Sequence, residues 1–129
     1  MKSIMFIHNG DYKNKNPFWT IRMGEKGHAI GEVIGPRTGY SAIESFEKQL
    51  PEELIVDLFL LPENLVRHEI TSQPERNEVI VHFKENGCPV GVFLVSQVEE
   101  GSSYRRVLQT AVDFLMKDYT EQGGGEVRS

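Results

Sequence analysis

The chain has 129 residues, the size of one ordinary domain, and can bury a core without a disulfide or metal staple. Its 39% hydrophobic and 26% charged residues are a globular composition rather than a disordered one; a single cysteine, Cys88, excludes an intramolecular disulfide and a Cys-rich zinc site. The net charge of -5 is uneven, with six Lys/Arg against three Asp/Glu over residues 1–40 and eight against sixteen over 41–129. That balance is the reverse of a dominant nucleic-acid binder's, so nucleic acid is an unfavoured partner.

Ser3 to His8 reads as a short apolar strand stopped by the turn signal Asn9-Gly10-Asp11. The run is too short for the apolar region of a signal peptide, and no segment approaches the ~18 apolar residues of a membrane span. The expected location is therefore cytoplasmic, away from the membrane. After the polar stretch Tyr12–Pro17, Phe18 to Met23 alternates Phe18, Thr20 and Arg22 against Trp19, Ile21 and Met23. Gly24-Glu25-Lys26-Gly27 fits a hairpin connection into a third strand, His28 to Ile34.

Ser41-Ala42-Ile43-Glu44 matches a capping box, and Ile43, Phe46 and Leu50 share a helical face, predicting a helix from Ala42 to Gln49 ended by Pro51. Leu54 to Leu61 suits a second helix opened by Pro51-Glu52-Glu53 or a buried strand. The short apolar run tips the reading to strand. Pro62-Glu63-Asn64 ends it, and Leu65 to Ser72 alternates like a further strand closed by Gln73-Pro74.

Asn77 to Lys84 is a strand with Val79, Val81 and Phe83 on one face and Ile80, His82 and Lys84 on the other. Asn86-Gly87 is the strongest hairpin signal, leading into an apolar run from Val90 to Val98. Ser102 or Ser103 caps a long amphipathic helix to about Thr120, stopped by Gly123-Gly124-Gly125. The expected architecture is α+β: one domain over 1–122, a mostly antiparallel sheet of about six strands with two helices, the longer one C-terminal, and a flexible tail over 123–129.

Four residue groups carry candidate chemistry. Gly35-Pro36-Arg37-Thr38-Gly39-Tyr40-Ser41 precedes the expected helix. Helix-terminal amides with Arg37, Thr38, Gly39 and Ser41 would suit a phosphate, nucleotide or carboxylate, although the stretch is not a P-loop and equally suits a plain strand-to-helix turn. His8 at a strand end suits a general base oriented by Asp11, or an ordinary Asn-Gly turn. Trp19, Arg22 and Tyr12 combine hot-spot types suited to a protein interface, and aromatic residues amid Lys13, Lys15 and Arg22 also fit single-stranded nucleic acid. Arg105 and Arg106, in a first helical turn that prefers acids, are expected to pair with Glu99 or Glu100.

Cys88 has no base near it in sequence, and the histidines show no ligand spacing, so neither catalytic residue, metal nor cofactor is expected. The leading expectation is a small non-catalytic protein-binding domain of inhibitor, immunity or adaptor type. The alternative is a small-ligand or phosphate-binding protein using the Gly35–Ser41 loop, extending to a small enzyme. An exposed sheet edge would also admit a homodimer.

Overall fold

A computed structural model describes the backbone of residues 1–64 and 78–128 and the side chains of residues 1–61 and 78–117. Alternation decides the first three strands: β1 (Lys2–His8), β2 (Phe18–Gly24) and β3 (His28–Ile34) form an antiparallel meander. β4 (Glu44–Gln49) continues it, and α1 (Glu52–Asn64) then crosses one face. β5 (Val79–Glu85) pairs with β1 on the other side, β6 (Cys88–Leu94) pairs with β5, and α2 (Ser103–Arg128) follows. The result is an α+β fold whose antiparallel sheet has the order β4-β3-β2-β1-β5-β6.

Two segments exchange their expected states. Ala42 to Gln49 is not a helix: β4 pairs Glu44–Gln49 with Val33–His28, and Ser41 Oγ bonds to the Thr38 carbonyl rather than capping a helix. Helix-forming residues yield here to a ladder that the meander offers. Leu54 to Leu61, expected as a strand, lies within α1, where Leu58 and Leu61 are buried and Val56 and Leu60 face solvent. Its first turn carries Glu52 and Glu53, and the Ile55 amide closes onto the Pro51 carbonyl at 3.1 Å.

α1 runs to Asn64, past Pro62. The strand expected over Leu65–Ser72 lies outside the described residues. The apolar run from Val90 divides into β6 and a 3₁₀ turn at Val95–Gln97. At the start of α2 the Ser102 hydroxyl accepts from the Arg105 amide at 3.1 Å, the N-cap the sequence suggested. The helix bounds reach Arg128, past the three glycines at which it was expected to stop; at about 1 kcal/mol each, glycine propensity does not account for that extension.

Both helices cover the same face of the sheet. Ile4, Phe6, Ile21, Val81, Phe83 and Phe93 meet Leu58, Leu61, Leu108, Ala111 and Leu115 there, all of them 2% exposed or less. Burial of a side chain such as Phe6 contributes about 1.5–3 kcal/mol. The β5–β6 hairpin turns through Asn86 (φ 53°) and Gly87 (φ 82°), the two positive φ values that an Asn-Gly turn supplies. Among the described residues no helix is long and apolar enough to cross a membrane.

Candidate ligand-binding site

Register builds the site. Glu44 of β4 opposes Val33 of β3, Val33 opposes Trp19 of β2, Trp19 opposes His8 of β1, and His8 opposes Val79 of β5. These five residues form one lateral row at the end of the sheet, on its helix-covered face. All five line a half-open cleft of about 650 Å³. The facing wall is one stripe of α2, Arg105, Gln109, Val112, Asp113 and Met116, at helical spacing. Loop residues Lys15–Pro17 and Gly35–Arg37 close the rim, with Glu78, Val95 and Ser96.

The lining is mostly apolar with a few converging polar groups, and the volume falls in the ~300–1,000 Å³ range of small-molecule sites. A second cavity beside Phe59 and Phe83 holds about 210 Å³, below that range.

The polar groups are individually placed. The His8 ring stacks on Trp19 with centroids 5.2 Å apart and planes 12° from parallel. Its Nδ1 lies 2.8 Å from the Pro17 carbonyl oxygen. A carbonyl only accepts, so Nδ1 carries the proton, and in the neutral ring Nε2 keeps its lone pair. Burial lowers the His8 pKa below its ordinary 6.5, outweighing the opposing pull of that hydrogen bond. At neutral pH His8 is an uncharged acceptor.

Arg37 Nη2 stands 3.5 Å from Glu44 Oε2, with the two side chains 27% and 24% exposed. Glu44 Oε1 is buried and accepts no hydrogen bond among the described residues. Arg105 Nη1 donates to the Val98 carbonyl at 2.9 Å and reaches Ser96 O at 3.5 Å. These backbone contacts replace the expected pairing with Glu99 or Glu100. Neighbouring strands lie about 4.8 Å apart, so His8 and Glu44, three strands apart, are separated by about 14 Å of sheet and do not share a proton.

Compared with known proteins, the chain matches no family model, no curated protein and no solved structure. The reading therefore rests on the site alone.

The sequence-predicted residues are only partly brought together. Of Arg37, Thr38, Gly39 and Ser41, Arg37 alone lines the cleft. Thr38 Oγ1 lies 3.3 Å from the Gly35 carbonyl oxygen and 3.2 Å from that of Ala42, and Ser41 Oγ donates to Thr38, so both hydroxyls are engaged within their own loop. Gly39, at φ 63°, ends the short 3₁₀ turn Pro36–Thr38. With β4 following, no helix N-terminus points at this loop.

Trp19 and Arg22 are on opposite faces of β2. Trp19 is 6% exposed, while Arg22 is on the outer face, 3.3 Å from Glu32. A tryptophan this buried cannot anchor a protein interface or stack a nucleic-acid base. Its strand alternation already carried that answer. Tyr12 stays exposed and forms an aromatic cluster with Phe18 and Tyr40, at centroid distances of 5.1 and 4.5 Å.

Asp11 does not orient His8. It is 4% exposed and accepts from the Lys13 amide and the Asn14 side chain, tying the 11–16 turn together. Glu44, Val33 and the α2 stripe were missed altogether. Spacing along α2 could have supplied the stripe, but the row depends on pairing between distant strands.

Proposed function

We propose that this protein binds a small organic molecule in the cleft between the Glu44–Val79 row and α2. The observation that supports this reading is the cleft itself, a cavity of about 650 Å³ whose apolar walls hold His8, Arg37 and Glu44. Trp19 is the only tryptophan of the chain and lines it, so its emission reports occupancy. Titration with a panel of small aromatic anions, cations and neutral compounds should yield members that change Trp19 emission. At a hundredfold excess over Kd a true ligand stabilises the fold by about 2.7 kcal/mol. A panel that moves neither the emission nor the melting temperature would sink the reading.

A second reading, the non-catalytic protein-binding domain, is favoured by the outer face of the sheet. No described helix covers it, and it presents Ile30 and the Tyr12–Phe18–Tyr40 cluster. The two readings part on one substitution: Tyr12→Ala weakens a protein complex and leaves the cleft titration unchanged.

A further inference from the structure

We propose that the cleft takes a small amine or amidine with an apolar, ring-sized body, its N–H groups donating to Glu44 Oε1. This rests on the cleft being a ligand site and deepens it by assigning the ligand's chemistry. The inference comes from counting which hydrogen-bonding valences at the site are filled.

The guanidinium groups are engaged: Arg37 with Glu44 Oε2 at 3.5 Å, and Arg105 with the Val98 carbonyl at 2.9 Å. Lys15 stands exposed at the rim. The incomplete groups are acceptors. Glu44 Oε1 is buried, charged and without a donor among the described residues, an arrangement that carries a desolvation cost until something donates to it. His8, along the same row, offers Nε2 as a second acceptor because Nδ1 is committed to Pro17.

A ligand carboxylate or phosphate reaching Arg37 would have to displace Glu44 and would leave two like charges together in a site of low dielectric. A ligand ammonium or amidinium instead completes the Glu44 carboxylate and keeps the Arg37 ion pair intact. Charge-assisted N–H···O bonds are about twice as strong as neutral ones. The Val33, Trp19, Val79, Val112 and Met116 surfaces then receive the apolar body.

The test uses the full chain and probes matched in shape: benzylamine and benzamidine against benzoate, phenylacetate and benzyl alcohol. Binding is read from Trp19 emission and from melting temperature. The amine and amidine should bind at least tenfold more tightly than the carboxylates and the alcohol. Glu44→Gln should reduce their affinity at least tenfold while the melting transition stays cooperative. Tighter binding of the carboxylates overturns the donor assignment and leaves the cleft reading in place. Amine binding unchanged in Glu44→Gln overturns the assignment to Glu44. If no probe of any charge binds, the cleft reading falls with it. Should Glu44→Gln not fold, the wild-type comparison decides between amine and carboxylate by itself.

Discussion

His8 belongs to both the fold and the site, and its titration couples them. Burial against Trp19 lowers its pKa, and His82 on the outer face is lowered by burial first and by Lys84 second. The sign follows from proton counting. As pH drops through 6.5, the unfolded chain takes up protons at both positions while the folded chain does not. Stability therefore falls with pH below 6.5 and levels off once the lower, folded-state values are passed. The urea midpoint should be lower at pH 5.5 than at pH 7.5, and His82→Gln, which leaves the cleft untouched, should shrink that difference. Histidine NMR titrations should place both midpoints below 6.5. A His8 midpoint above 6.5 would contradict the effect assigned to its burial.

At the scale of elements, the β3–β4 pair shows how a neighbour decides secondary structure. Gly31 lies opposite Phe46, and a Cβ at Gly31 would overlap the Phe46 ring. Gly31→Ala gains about 0.4–1 kcal/mol by restricting the unfolded chain. It forces the Phe46 ring outward, however, forfeiting much of the ~1.5–3 kcal/mol that a buried phenylalanine contributes. The ring should win, giving a net loss of about 1 kcal/mol by denaturant melts. In a Phe46→Ala background the same change should be neutral or stabilising, and equal costs in both backgrounds would remove the ring from the explanation. This pairing is what the sequence could not announce. Ile43, Phe46 and Leu50 do share a helical face, and nothing within 42–49 reveals that Gly31 waits across the ladder. The α1 segment was ambiguous for a related reason: a short apolar run suits either state, although Leu54, Leu58 and Leu61 already stood at helical spacing. β1, β2, β3, β5 and the capped start of α2 were legible because alternation, an Asn-Gly turn and a serine cap are local signals. The cleft was legible only in its parts, His8 and Arg37, since their assembly with Glu44 needs the order of five strands.

For the whole molecule, the decisive fact is that two helices share one face of a six-stranded sheet. They cover its middle, and the cleft opens where the Glu44–Val79 row runs past the apolar stripe of α2. The edges look guarded against strand addition: β4 carries Glu44, Glu47 and Lys48, and β6 carries Pro89 beside a register shift at Phe83/Lys84. A cavity of this size beside a packed core is a place where stability has been left unclaimed, which is common where a site must stay open. Val112, on the α2 wall, tests that directly. If its surroundings were close-packed, Val112→Phe would cost about 1–3 kcal/mol through strain. If the cleft is open, the ring enters it and buries roughly 50 Å² of additional apolar surface, worth about 1 kcal/mol. The expected result is a melting temperature higher by roughly 4 °C. The occupied cleft should at the same time bind any wild-type ligand at least tenfold more weakly. A fall in melting temperature would show the space to be filled, and unchanged ligand affinity would place the ligand elsewhere on the molecule.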